Sequence, residues 1–311
     1  MGGLVVMEIM QILFKQIFLM FIYMMIGFTL YKKKMITKQG SKELATLLLY
    51  VILPMAIIKP FMIEFDYEKL AGLGKSFVIA VVALALSMLV AKLFFGKKHP
   101  MENFCAAFSN AGFIGIPLTQ MALGEEAVFY IAIFVALLTV LQWTYGVMII
   151  TGDKSAVSPK KIVTNPIVIA VVIGIILFLL PVSIPPIATT AVSSIAVLNA
   201  PVAMIVLGVY LAQTKLTELF TTKIVYVATI VRLVVIPMLT IAVLSLFPSS
   251  FQDVRLAILI SASAPIGTNV AIFAQLNGMD YTEAVKNICF STLLSILAVP
   301  LIIGFANFVW L

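Results

Sequence analysis

Apolar stretches of about twenty residues recur from one end of this chain to the other, separated by short polar segments. Each stretch, wound as an α-helix, is long enough to cross the ~30 Å hydrocarbon core of a bilayer. The pattern predicts ten helices: 10–31, 43–62, 75–96, 101–123 and 125–151 in the first half, then 164–181, 187–213, 222–247, 254–277 and 281–309 in the second. The fold class expected is therefore an all-α polytopic membrane protein, with loops too short to hold a further domain.

Composition agrees. Of 311 residues, 63% are apolar and 11% charged, and the mean hydropathy is +1.18. A soluble domain carries about one quarter charged residues and has no way to bury this much apolar surface. MGGLVVMEIM lacks a basic n-region and a small-residue cleavage site, so no cleaved signal peptide is expected and the first helix serves as its own insertion signal. The net charge of +7 is read as topology information, not as a nucleic-acid surface. Lys32, Lys33, Lys34, Lys38 and Lys42 fill the first loop, Lys97 and Lys98 the third, Lys154, Lys160 and Lys161 the fifth, Lys215 and Lys223 the seventh, and Lys286 the ninth. Basic loops stay in the cytoplasm, which puts both termini outside a cell (plasma) membrane.

The apolar pattern fails in two places. The fourth span carries SNAGFIGIPL from Ser109 to Leu118, and the ninth carries SASAPIGTN. Pro117 and Pro265 each remove a backbone donor, while Gly112, Gly115 and Gly267 let the chain unwind. Irregular backbone at that depth is tolerated only inside protein or beside a water-filled cavity. The two breaks occupy matching places. EAVFYIAIFVALL from Glu126 resembles EAVKNICFSTLL from Glu283, and Pro54 in YVILPMAII matches Pro201 in VLNAPVAMI. Five spans per repeat is odd, so the repeats, 1–157 and 158–311, should insert in opposite orientations, with a solute site between the broken helices. Helices restarting at the breaks would present free N–H groups and positive dipole ends, an uncharged cradle for an anion. Ser109 and Asn110 would reach into the first break and Thr268 and Asn269 into the second.

These residues resemble the auxin efflux carrier family, which spans the plant PIN-FORMED exporters and many bacterial permeases. The resemblance covers essentially the whole chain: YVILP, SNAGFIGIPL, LQWTYGVMII around Gln142, VRLVVIP around Arg232 and SASAPIGTNVAIFAQLNG. It implies ten helices in two inverted five-helix repeats, crossing broken helices four and nine, and carriage of organic carboxylates. It further implies that Asn110 contacts the substrate carboxylate and that Gln142 lines the site. The substrate-binding set expected is Asn110, Ser109, Gly115, Ile116, Pro117, Gln142, Pro265, Gly267, Thr268 and Asn269. The chain departs from the plant members in its short central loop TGDKSAVSPKKIVTN, in Ala71 where an acid would stand four residues before Lys75, and in Val270 where a second proline is expected. Auxin itself is therefore not implied.

Arg232 falls in mid-span, where it must face protein or water. It has two readings: attraction of an anion or gating, and capping of carbonyls freed at Pro237 or at a helix break. The thirteen acids fall in loops or near span ends, none placed for a midplane proton relay. Lys15 and Lys59 are placed to snorkel, His99 is read as surface, and Cys105 and Cys289 as small hydrophobes. The function expected is a secondary transporter of small organic anions, by alternating access and potential-driven efflux. It calls for no catalytic residue, metal, cofactor or nucleic acid. Its partners are the anion and lipid, with a homodimer left open. The alternatives are a sodium- or proton-coupled symporter and a sensor without transport.

Overall fold

The computed structural model describes residues 2–180, 184–214, 217, 220–271 and 281–310. The C-terminal part of the ninth predicted span, 272–277, lies outside the described residues, as do Lys215, Glu218 and Asp280. The helices are α1 (Gly2–Lys32), α2 (Lys38–Phe61), α3 (Tyr67–Phe95), α4 (Pro100–Ala107), α5 (Ala111–Leu123), α6 (Glu125–Thr151), α7 (Pro159–Val163), α8 (Pro166–Leu179), α9 (Pro186–Gln213), α10 (Lys223–Leu244), α11 (Gln252–Ala262) and α12 (Thr282–Trp310). Seven of them (α1, α2, α3, α6, α9, α10 and α12) are long and apolar enough to cross a membrane, and α5 and α8 are shorter apolar helices.

α2 and α3 start well before hydropathy predicts, each at a polar cap. The Thr37 hydroxyl accepts from the Gly40 N–H at 3.0 Å, which starts α2 at Lys38. The Asp66 carboxylate accepts from the Glu68 N–H at 2.7 Å, which starts α3 at Tyr67. Each cap satisfies an N–H that the first turn leaves without an intrahelical partner.

Three prolines inside helices are absorbed in the same way. Leu53, Ile116 and Ile236 immediately precede Pro54, Pro117 and Pro237, and their N–H groups donate five residues back, to the carbonyls of Leu48, Ala111 and Val231. A proline ring collides with the carbonyl four residues before it. Widening one turn to the π spacing removes that collision and keeps the helix running. A fourth π turn, Gln142–Gly146, forms with no proline after it.

The helices pack in two groups. α1 lies along α9, where Gly27 and Gly208 let the backbones touch; a Cβ on Gly27 would fall 2.0 Å from the Ile205 carbonyl oxygen, and one on Gly208 1.9 Å from that of Met24. Such small-residue contacts bring membrane helices together by van der Waals packing. α2 packs on α8 and α9. In the other group α3 packs on α4, α6 and α11, and α12 packs on α4, α10 and α11. α1 reaches across to α12, and the ring contacts Phe61–Phe129 (4.9 Å) and Phe129–Phe178 (5.0 Å) join α2, α6 and α8. The outward side chains are themselves apolar, among them Phe18, Leu89, Leu93, Leu297 and Leu301, as suits a surface solvated by lipid tails.

Candidate functional site

The fourth predicted span is not one helix. α4 ends at Ala107, the chain is extended or irregular from Phe108 to Asn110, and helix resumes at Ala111. The interruption therefore lies N-terminal to Gly112 and Pro117, the residues expected to make it. In the ninth span α11 ends at Ala262, and helix resumes only after Gly267, so Pro265 sits in the gap as expected.

The two gaps touch. Asn110 N–H donates to the Pro265 carbonyl at 2.7 Å and Gly267 N–H donates to the Phe108 carbonyl at 3.1 Å, giving an antiparallel bridge between Ser109 and Ile266. It is the only β pairing among the described residues. Backbone groups that leave a helix inside a membrane protein need partners, and here each gap supplies them to the other. Gly267 makes the approach possible, since a Cβ there would lie 3.0 Å from the Ser109 carbonyl oxygen. The Ile266 N–H donates to the Ser291 hydroxyl of α12 at 3.1 Å.

Polar side chains gather around this bridge. Asn269 Nδ2 donates to Gln142 Oε1 at 3.0 Å, joining the ninth-span restart to the π turn of α6. Asn110, Gln142, Ser109, Ser263 and Thr268 are buried, and Asn110 Nδ2, Gln142 Nε2 and the three hydroxyls have no hydrogen-bond partner. A buried amide donor without a partner costs on the order of 1–3 kcal/mol, so packing alone does not account for this group of donors. Of the other expected residues, Gly115 packs against Ser261 of α11, and Ile116 and Pro117 line a separate cavity of about 230 Å³ between α1, α2, α5 and α9. Phe113 and Thr268 line a much smaller one, about 20 Å³.

Arg232 is buried and stands behind the first gap. Its Nη1 donates to the Ala106 carbonyl (3.0 Å), the Ala107 carbonyl (3.5 Å) and the Ser87 hydroxyl (3.1 Å), and Ser87 donates in turn to the Ala107 carbonyl (2.7 Å). These contacts cap carbonyls at the helix break; Pro237 is accommodated by its own π turn. A cation at a helix C-terminus also meets the negative end of its dipole. Among the described residues no carboxylate forms an ion pair with Arg232.

Three side chains show contacts or burial that the sequence did not reveal. Lys59 does not merely snorkel: its Nζ lies 2.6 Å from Glu125 Oε1. Glu102, expected near a span end, is 3% exposed in the first turns of α4, with Oε1 unpartnered and Oε2 3.9 Å from His99 Nδ1. Asn199, which the sequence reading passed over, is in the lining of the larger cavity; it donates from α9 to the Gly112 carbonyl at 2.9 Å, while its Oδ1 is buried without a partner. The signal was available, because Asn199 is the polar residue of VLNAPVAMI beside Pro201. Cys105 and Cys289 are buried in helices, as read.

The family model described as "Membrane transport protein" matches this chain twice, over residues 12–161 and 154–303. The chain belongs to this family, that of the auxin efflux carriers. It is a multi-pass membrane transport protein. A relative from Rhizobium meliloti (strain 1021), named "Putative malonate transporter", is 26% identical to it over 241 residues, covering 74% of each chain. Both gaps and the residues around them fall inside the regions matched by the family model.

Proposed function

We propose that this auxin efflux carrier family member is a secondary carrier of small organic carboxylates, with the paired gaps as its binding site. The observation that carries the reading is the set of unpartnered buried donors, Asn110 Nδ2 and Gln142 Nε2 with the hydroxyls of Ser109, Ser263 and Thr268, at two helix restarts. Restarting helices add N–H groups without intrahelical acceptors and the positive ends of their dipoles. Arg232, one helix end away, adds a fixed positive charge. The printed name of the malonate-transporter relative supports the same ligand class.

In this reading the chain has ten spans in two inverted repeats, 1–157 and 158–311, with α4–α5 and the α11 span crossing at their gaps and both termini outside. The two matches to one family model support the repeat. Alternating access then moves the crossing helices, with α3, α6, α10 and α12, against α1, α2, α8 and α9. Efflux follows the membrane potential: a monovalent anion leaving a cell at ~100 mV, inside negative, gains ~2.3 kcal/mol, roughly a 50-fold gradient. A proton-coupled version draws support from buried Glu102 beside His99. An imposed pH gradient at zero potential separates them: it drives uphill transport only in the coupled case, and Glu102→Gln then abolishes that drive.

The test is charge displacement by proteoliposomes on a solid-supported membrane, challenged with a panel of mono- and dicarboxylates. Carboxylate currents in the wild type that collapse in Asn110→Ala, in protein with an unchanged thermal midpoint, are the expected result. Currents that survive Asn110→Ala would remove the anion from the paired gaps. Silence across the panel would remove carboxylates from the reading altogether.

A further inference from the structure

The 230 Å³ cavity lies between the two packing groups, on the side of the bridge where α2 ends and α6 begins. It is smaller than the ~300–1,000 Å³ of pockets for drug-sized ligands, and it reaches Pro117, close to the first gap. Its polar lining has a particular arrangement. Lys59 Nζ approaches Glu125 Oε1 at 2.6 Å, and Gln120 Nε2 donates to the same oxygen at 2.7 Å. The Glu125 carboxylate thus meets an ammonium and an amide, the chemistry that would receive a free carboxylate. The Lys59 and Glu125 side chains are 29% and 52% exposed, and a pair so open to water contributes little net stability. Replacing Glu125 at Lys59 by a second carboxylate therefore forfeits little folding stability. Asn199 also belongs to the lining, through a side chain that is otherwise buried and bonded to the Gly112 carbonyl.

We infer that this cavity is a second anion site, in which Lys59 and Gln120 bind the carboxylate of a small acid in exchange for Glu125. The inference rests on the carboxylate reading proposed above. Exchange of one carboxylate for another leaves the charge on Lys59 compensated throughout, so the site passes an anion without exposing a bare ammonium. It also loosens the ion pair between the end of α2, in one packing group, and the start of α6, in the other. Passage of the acid and separation of the two groups on this side are then a single event.

The experiment uses the full chain in proteoliposomes and the half-saturating concentration of malonate, added to each face in turn. Lys59→Gln is expected to raise that concentration on the cavity face, and Glu125→Gln to lower it, each roughly two- to fivefold, the range a half-exposed charge pair supplies. Lys59→Arg should stay near wild type, and the double variant should follow Lys59→Gln. If Glu125→Gln weakens the response as Lys59→Gln does, the pair is a structural clasp and the inference is overturned. Unchanged responses in both variants overturn it as well, while a current that still collapses in Asn110→Ala would leave the carboxylate reading standing. A wild type silent to every carboxylate removes both.

Discussion

The two gaps bind each other's backbone, yet they are built by different means. At Phe108–Asn110 there is no proline; α4 simply ends, and a buried cation with a relaying serine takes up its last carbonyls. At Ser263–Gly267 the proline is in the gap, its carbonyl goes to Asn110, and a hydroxyl from α12 holds the next N–H. One gap is secured by charge and the other by neutral hydrogen bonds and a glycine. The repeat thus reproduces the shape of the interruption without reproducing its wiring. Among the described residues a charged side chain caps the helix end at the first gap only, so in the proposed reading an anion would meet an asymmetric field between the two repeats.

That asymmetry can be broken from either side. Arg232→Met should have the largest effect, because it strips the Ala106 and Ala107 carbonyls of a charged donor; hydrogen bonds to charged groups contribute about 1.5–3 kcal/mol each. Thermal unfolding in detergent should show a clearly lowered midpoint, with Arg232→Lys in between. A midpoint equal to wild type would mean that these contacts carry no stability. Gly267→Ala comes next, at roughly 1–3 kcal/mol for a crowded insertion. Since it pushes on the Ser109 carbonyl, it should abolish carboxylate current even where folded protein is recovered. Full current in that variant would show that the bridge is dispensable. Ser291→Ala is the mildest, about 1 kcal/mol for one neutral hydrogen bond, read as a small midpoint shift with transport retained. A larger loss than for Arg232→Met would reverse the ranking of the two gaps.

Much of this was legible beforehand for a simple reason: hydrocarbon imposes length and composition on a helix, and the polar interruptions stand out against it. SNAGFIGIPL and SASAPIGTN announced both gaps. What misled was the local rule for proline. Pro117 looked like the breaker, but a π turn absorbs it, and the chain leaves the helix at Phe108 instead. Lys59 was illegible because its partner Glu125 is far along the chain. Asn199 was passed over because a lone asparagine in an apolar run gains meaning only from the carbonyl it meets.

By itself, the sequence determined that this chain lives in a membrane, that it is built of apolar helices, and that two of its apolar runs are interrupted, since each follows from local hydropathy and backbone chemistry. Tertiary structure alone decided that the two interruptions pair, that Arg232 caps one of them, and that Lys59 faces Glu125. These are meetings between distant segments, and their energies depend on which freed backbone groups and charges lie within hydrogen-bonding reach once the helices pack.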